Sequence, residues 1–220
     1  MRTSNIILLA LALVICATVT ALAVTLRVKV DHHSYAKLIP ADDDLKDIPL
    51  GTFSTILVDN MNDVNIRQGN RNMIRLSKQT EKETSYRLQG DTLKIWSMGG
   101  GSVRIVVQDL RVLSLMHMGE CNLSNIKGDS LFVHADGSGA TTLDSCVLDR
   151  LHLTGIPSGG VTLSNSTSKT LWANLDSAGG VVTLRNDRIE QLIGGWRDDG
   201  SLSIDGATLR NGIQKIERIP

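Results

Sequence analysis

The chain has 220 residues, 41% of them hydrophobic, and its 23 basic residues balance its 23 acidic residues. This length favours one domain or two small ones, and the balanced charge, with no basic stripe, argues against nucleic acid as a partner. With only 3 Trp, 2 Tyr and 2 Phe, the core must consist of Leu, Val and Ile, and the 3 cysteines exclude a disulfide scaffold.

An uncharged apolar segment runs from Ile6 to Leu26. As a helix rising about 1.5 Å per residue, it is long enough to cross a bilayer. It is interpreted either as a signal peptide cleaved after Ala21-Leu22-Ala23 or as an uncleaved anchor. The apolar run continues past that cleavage site, which favours the anchor. An anchor predicts an inner-membrane protein with a periplasmic domain, and cleavage predicts an exported cell-envelope protein.

Residues 27–51 are polar, and Pro40 and Pro49 interrupt them. They are predicted to form a tether between the membrane segment, residues 1–26, and a head domain, residues 52–220. The pair His32-His33 lacks the further ligands that a metal site requires.

Residues 52–110 alternate apolar and polar side chains, as in Val64 and Ile66, which is typical of half-buried strands. Gln89 to Thr92 is predicted to be a hairpin turn, and Lys78 to Lys82 an exposed strand end. This part either begins the repeat that follows, with irregular units, or caps it.

The C-terminal half repeats with a period of 20 residues, interrupted by one step of 21. Two columns of apolar residues share this period. They are Leu123, Leu143, Leu163, Leu184 and Ile204, and Leu131, Leu151, Leu171 and Leu192. Such a unit matches one coil of a parallel β-solenoid, in which equivalent residues stack at about 4.8 Å.

A polar column follows the first apolar column by two residues. Its members are Asn125, Ser145, Asn165 and Asn186. Alternation predicts that these side chains point inward. At a tight corner, Asn tolerates a left-handed backbone and can bond to the turn or to the next Asn.

Several short motifs resemble those of a bacterial family, the head GIN domain of putative auto-transporter adhesins, over roughly residues 50–210. The motifs are Phe53-x-x-Ile56-x-Val58, Asp63-Val64-x-Ile66-x-Gln68-Gly69, Gly90-Asp91-Thr92-Leu93-x-Ile95 and the corner Asp136-Gly137-Ser138-Gly139.

This resemblance implies a right-handed β-solenoid in the envelope of Gram-negative bacteria, mainly Bacteroidetes, often behind an N-terminal membrane segment. It implies no known enzymatic activity and supplies no functional residues. The sequence departs from the pattern at Pro157 to Gly160 and Ala178 to Gly180, where the Gly-Ser-Gly corner weakens. The first unit, measured from Leu113 to Leu131, also looks short.

Motifs of nucleophilic, nucleotide-binding and metal-dependent enzymes are missing: G-x-S-x-G, the P-loop, H-E-x-x-H and Cys-x-x-Cys do not occur. Cys121 and Cys146 are predicted to be buried and unbridged. His117, His134 and His152 have different offsets from the apolar columns, so no metal site is predicted.

Two outward features are candidate binding surfaces. Trp172 lies between inward residues and is predicted to be exposed, where it either stacks on a sugar or, as is more common, covers the sheet face. A column of hydroxyl side chains comprises Thr142, Thr162, Thr183 and Ser203. β-Propensity is sufficient to explain this column.

Asp136 and Asp176 are the best enzymatic candidates. They fall five residues after Leu131 and Leu171. Two coils would separate them by about 9–10 Å, near the upper limit for an inverting carboxylate pair. Asp198 and Asp199 lie one coil further on. Ordinary turn chemistry also explains Asp at such corners.

The sequence therefore predicts an exported, membrane-anchored, non-enzymatic β-solenoid that acts as an adhesin-like envelope module. No catalytic, cofactor-binding or metal-binding residue is assigned. The expected partners are the membrane, through Ile6 to Leu26, an envelope protein or glycan, and a second copy through the solenoid ends, where Asn211 to Ile219 is a candidate cap. The alternative is a glycan-processing hydrolase or lyase that uses corner Asp residues.

Overall fold

The computed structural model describes residues 45–155, 158–175, 180–196, 200–211, 213 and 215–219. The predicted membrane segment, Ile6 to Leu26, lies outside these residues. Within the described ranges, no helix is long and apolar enough to cross a membrane.

The described residues are mainly strands. They are β1 (Leu45–Pro49), β2 (Thr55–Asp59), β3 (Asp63–Gln68), β4 (Met73–Ser77), β5 (Thr84–Gln89), β6 (Thr92–Ser97), β7 (Ser102–Val107), β8 (Val112–Ser124), β9 (Lys127–Asp144), β10 (Val147–Thr154), β11 (Val161–Ser164), β12 (Thr167–Leu175), β13 (Val181–Arg185), β14 (Arg188–Trp196), β15 (Ser201–Ile204) and β16 (Lys215–Ile219). A 3-10 turn covers Thr80–Lys82, and helix α1 covers Gly206–Asn211.

All sixteen strands belong to one open sheet, so the fold is all-β as predicted. Most neighbours are parallel, and the antiparallel pairs are β1–β4, β4–β7 and β5–β6. We call the run β6-β2-β8-β9-β10-β12-β14-β16 the Leu131 stack, and the run β3-β8-β9-β11-β13-β15 the Leu143 stack. The long strands β8 and β9 contribute one half to each stack.

The predicted apolar columns are confirmed as strand registers. Leu143, Leu163, Leu184 and Ile204 are consecutive partners in the Leu143 stack. In the Leu131 stack, Leu131, Leu151, Leu171 and Leu192 are consecutive partners in the same way. Each of these Leu residues is at most 1% exposed, so equivalent side chains of successive repeats bury one another.

The first unit is not short, contrary to the sequence-based expectation. Leu113 pairs with Val133 rather than with Leu131, which preserves the spacing of 20 residues. The irregularity lies after this pair, where the register of β8 and β9 shifts between Met116 and Glu120. His117, within this bulge, has a left-handed φ of 49°.

The N-terminal part belongs to the same sheet. β2 and β3 pair in parallel with the two halves of β8, and β5 and β6 form the predicted hairpin. Lys78 to Lys82 is not a strand end, because the 3-10 turn lies there, held by bonds between Ser77 and Thr80. β1, which pairs with β4, lies within residues 27–51, the range predicted to be a tether.

The polar corner residues adopt the predicted left-handed conformation, with φ between 52° and 58° at Asn125, Ser145, Asn165 and Asn186. The amide of Asn186 donates to Asn165 Oδ1 at 2.8 Å, which confirms one rung of the Asn ladder. Their predicted inward direction is wrong. The left-handed residue breaks the alternation, so the corner side chains are exposed or half-buried and the next residue along the chain points inward.

The core is almost entirely aliphatic, as the composition requires, and Phe53 is the aromatic member of the core cluster. A column of glycines lines a second corner, at positions 119, 139 and 159. A Cβ atom at Gly139 would overlap the carbonyl of Gly119, and one at Gly159 would overlap the backbone of Gly139. These corners require glycine because successive repeats approach each other too closely for a side chain.

Candidate functional site

Three stacked rings on the exposed face of the Leu131 stack form the candidate site. Phe132, His152 and Trp172 are direct partners on β9, β10 and β12. The ring centroids of Phe132 and His152 are 6.1 Å apart with planes at 27°. Those of His152 and Trp172 are 5.6 Å apart with planes at 11°. We call these three residues the aromatic column.

Strand alternation explains why these rings face outward. Each follows a buried Leu of the Leu131 stack and precedes a buried small or aliphatic residue. Phe132 is 41% exposed and Trp172 is 38% exposed. The separation of the centroids is typical of offset stacking, which leaves part of each ring open to solvent.

Aliphatic side chains continue the aromatic column at both ends. Val112 is the partner of Phe132 on β8, and Ile193 is the partner of Trp172 on β14. Ile193 is only 6% exposed. Among the described residues of this column, the accessible rings are therefore confined to three successive repeats.

Polar side chains flank the aromatic column on both sides. The column two residues before it is Ser130, Arg150, Thr170 and Gln191. The column two residues after it includes Ser114, His134 and Thr154. His134 Nδ1 lies 3.1 Å from Thr154 Oγ1. Hydroxyl, amide and guanidinium groups thus lie on one side of the aromatic column, and hydroxyl and imidazole groups lie on the other.

Partial burial, and to a lesser extent the charge of Arg150, lower the pKa of His152 below its ordinary value of 6.5. Both effects disfavour the imidazolium. At neutral pH the middle ring of the aromatic column is therefore mostly uncharged.

Three further exposed hydrophobic residues lie on this stack, of which Val147, at the start of β10, is 49% exposed. Trp96 and Met116 are both in register with Asp59 and are 39% and 38% exposed. Asp59 Oδ1 lies 2.9 Å from His117 Nδ1. The next residue in this register is Asp136, which is exposed within β9. Its proposed catalytic partner Asp176, like Asp198 and Asp199, lies outside the described residues.

The hydroxyl column has the predicted alignment. Thr142, Thr162, Thr183 and Ser203 are consecutive partners on the Leu143 stack. This column carries no aromatic ring, so it offers hydrogen bonds without an apolar platform.

An open cleft of about 320 Å³ lies near the N-terminal end of the sheet, lined by residues that include Ser54, Asp91, Asp109 and Arg111. Its charged groups already have partners, because Ser54 Oγ donates to Asp91 at 2.5 Å and Arg111 pairs with Asp109 at 2.8 Å. The cleft therefore offers a ligand few unpaired groups.

Among the described residues, the thiols and the other His, Asp and Glu side chains do not form a metal-binding cluster. Cys121 and Cys146 are free and buried, and burial raises both thiol pKa values, that of Cys146 to about 11. In the described part of the chain, no group of three or more His, Cys, Asp or Glu side chains is placed to hold a metal ion.

A buried polar column lies next to the left-handed corners. The backbone N–H of Cys146 donates to Ser166 Oγ at 3.1 Å, that of Ser166 to Asp187 Oδ1 at 2.7 Å, and that of Asp187 to Thr208 Oγ1 at 3.0 Å. Each side chain thus satisfies a backbone donor of the preceding repeat. Asp187 is fully buried, and desolvation raises its pKa to about 6.

Sequence reasoning placed Trp172 outward correctly but treated it as isolated. It considered His152 only as a metal ligand, beside His117 and His134. The missing signal was the spacing itself, because Phe132, His152 and Trp172 are 20 residues apart. The buried polar column was missed because the inward position was assigned to the left-handed corner residue, whereas the residue that follows it, such as Ser166 or Asp187, points inward.

A family model described as "Putative auto-transporter adhesin, head GIN domain" matches residues 52–188. A putative adhesin from Parabacteroides merdae ATCC 43184 has a similar structure, with a TM-score of 0.60 and 15% identity over 79% of this chain and 75% of that one. A putative adhesin from Bacteroides fragilis NCTC 9343 has a TM-score of 0.53 and 13% identity, covering 80% of this chain and 96% of that one. No curated protein matches the sequence.

Proposed function

Because the chain belongs to the family of putative auto-transporter adhesins with a head GIN domain, we propose that it is a non-enzymatic interaction module of the bacterial cell envelope. The exposed aromatic column carries this proposal. It places partly open rings on a regular sheet whose other described exposed positions are mostly polar. Such a rigid surface suits the binding of a partner better than catalysis.

The proposal includes the topology of the chain. Residues 1–26 hold the protein in the inner membrane or are cleaved after export, and the tether that follows connects them to the head. The apolar run from Ile6 to Leu26 supports this arrangement. The head then faces the periplasm or the cell exterior, where an adhesin-like module meets its partner.

We further propose that the sheet winds as a right-handed β-solenoid. The parallel registers, which repeat every 20 or 21 residues in two stacks, support this winding. Left-handed corners recur at the same point of each repeat and allow the chain to turn. The winding carries equivalent residues to neighbouring positions on the surface and so creates the aromatic column.

The test uses cells that express the full chain. Protease added to spheroplasts that retain the chain should cleave the head, and the full chain, extracted from these cells and purified, should be retained on immobilised envelope fragments. The double variant Phe132→Ala, Trp172→Ala should reduce retention at least fivefold. The double variant Thr162→Ala, Thr183→Ala, on the Leu143 stack, is the matched control and should be retained like the wild type. A head protected from protease in spheroplasts, or equal retention of the aromatic variant, would overturn the proposal.

A further inference from the structure

We infer that the aromatic column is a platform for an extended, β-linked glycan chain that runs along the stack, across the strands. This inference rests on the proposed interaction role and names the chemical class of its ligand. It follows from the spacing of the rings, from the groups that flank them and from the low charge of the surface.

The spacing matches the repeat of such a glycan. Equivalent positions of neighbouring strands are about 4.8 Å apart, and the ring centroids are 5.6 and 6.1 Å apart. One pyranose unit of an extended β-linked chain has a similar length. The stacked rings partly cover one another and leave their edges and offset faces accessible along one line. Successive sugars can therefore each meet one ring through their apolar C–H groups.

The flanking columns supply the hydrogen bonds that sugar hydroxyl groups need. Ser130, Arg150 and Thr170 stand on one side, and His134 and Thr154 on the other. Arg150 donates, hydroxyl groups donate and accept, and the imidazole of His134 does either. Apolar contact in the middle with polar contacts at both edges is the pattern that an amphipathic sugar ring requires.

The charge of the surface disfavours a membrane as the occupant. A site for anionic lipid headgroups needs several Lys or Arg side chains. Among the flanking residues named above, Arg150 alone carries a permanent charge. The middle ring, His152, is mostly neutral at pH 7 because partial burial and Arg150 lower its pKa. A neutral, hydroxyl-rich ligand fits this surface best.

The experiment measures binding of cellohexaose and chitohexaose to the full chain, purified in detergent, by isothermal titration calorimetry. At least one probe should bind, and Trp172→Ala and Phe132→Ala should each weaken binding at least tenfold. Trp172→Tyr, which keeps a ring, should restore most of the affinity. Tyr86, which is 39% exposed on β5 away from the column, is the matched control, and Tyr86→Ala should bind like the wild type.

Chain length gives a second readout. Because three rings are available, affinity should rise from cellobiose to cellotriose and change little from cellotriose to cellohexaose. Absence of binding by both hexamers, or equal binding by Trp172→Ala, would overturn the inference. If retention on envelope fragments still depends on Trp172 while the oligosaccharides do not bind, a protein partner replaces the glycan and the proposed function stands.

Discussion

At the residue scale, Asp187 differs from its counterparts in the preceding repeats because it is a buried carboxyl group. Ile126 and Cys146 occupy equivalent corners and are apolar, whereas Asp187 is a carboxyl with no exposed surface. It accepts the backbone N–H groups of Ser166 and Arg185 at 2.7 and 2.8 Å. These bonds favour the carboxylate, but desolvation outweighs them and raises its pKa to about 6 from the ordinary 3.8.

Stability should therefore depend on pH through Asp187. Between about pH 4 and pH 6 the folded protein retains this proton while the unfolded chain has lost it, so the free energy of unfolding falls as pH rises. In Asp187→Asn the fall between pH 4 and pH 7 should be smaller by about 2–3 kcal/mol, from a shift of about two units. Urea denaturation at each pH measures this difference.

Other carboxyls contribute to the same profile, so the difference between variant and wild type is the informative quantity. Burial also raises the pKa of Asp63, whereas bonds from Thr208 lower that of Asp205. Asp136→Asn, at an exposed position, is the control and should keep the pH profile of the wild type. Parallel profiles for Asp187→Asn and the wild type would contradict the assignment.

At the scale of the element, the corners determine how closely the repeats pack. The corner at Gly139 lies between that of Gly119 and that of Gly159, and a Cβ atom there would overlap the carbonyl of Gly119. The overlapping atoms are backbone, so a side-chain rotation cannot relieve the contact. The strands on either side would have to move apart and lose hydrogen bonds.

Gly139→Ala should therefore destabilise the head by about 3 kcal/mol, the upper part of the usual range for overpacking. Gly128→Ala is the matched control, because nothing lies within 4 Å of a Cβ at that position. It should change the urea midpoint little. Equal midpoints for the two variants would show that the corner can expand without cost.

The strands and corners of the repeats show how much of the fold the sequence could predict. The Leu columns predict strand registers because a buried position in a repeat admits only apolar side chains, and both columns are confirmed. The outward direction of Asn125 could not be predicted by alternation, since one left-handed residue shifts the phase of everything after it. The pairing of Leu113 with Val133 was missed because the column changes from Leu to Val at this step.

The candidate site was less predictable for a different reason. An exposed position is not required to hold an apolar side chain, so its residue type can differ from one repeat to the next. At this position the successive repeats have Phe132, His152 and Trp172. Register alone brings them together. Sequence reasoning that follows residue identity along a column finds Leu ladders and overlooks a mixed aromatic one.

At the scale of the whole molecule, a stacked sheet must protect its two ends, because an unpaired strand edge can pair with another chain. The N-terminal end is closed by the antiparallel strands β1 and β5. β1 carries Lys46, Asp47 and Pro49, which discourage further pairing at an edge. At the C-terminal end, β16 lies within Asn211 to Ile219, the segment proposed as a cap, and α1 precedes it and ends at Asn211.

Deletion of residues 206–220 should therefore destabilise the head and cause it to associate. It removes β16, which pairs in parallel with residues Gln191 to Gly195 of β14, and it removes Thr208, which accepts the buried N–H of Asp187 at 3.0 Å. The edge left open on β14 is apolar at Leu192 and Ile193, whereas β16 contributes three charged residues in five, Lys215, Glu217 and Arg218. A charged edge strand is thereby exchanged for an apolar one.

Size-exclusion chromatography at several concentrations measures the association, and urea denaturation measures the stability. Thr208→Ala in the full chain separates the two effects. It removes the hydroxyl acceptor and should cost about 1–3 kcal/mol for the buried donor left unpaired, yet it keeps β16 and should elute like the wild type. A truncated chain as soluble and as stable as the full chain would show that α1 and β16 do not protect this end, and that the apolar edge of β14 is tolerated.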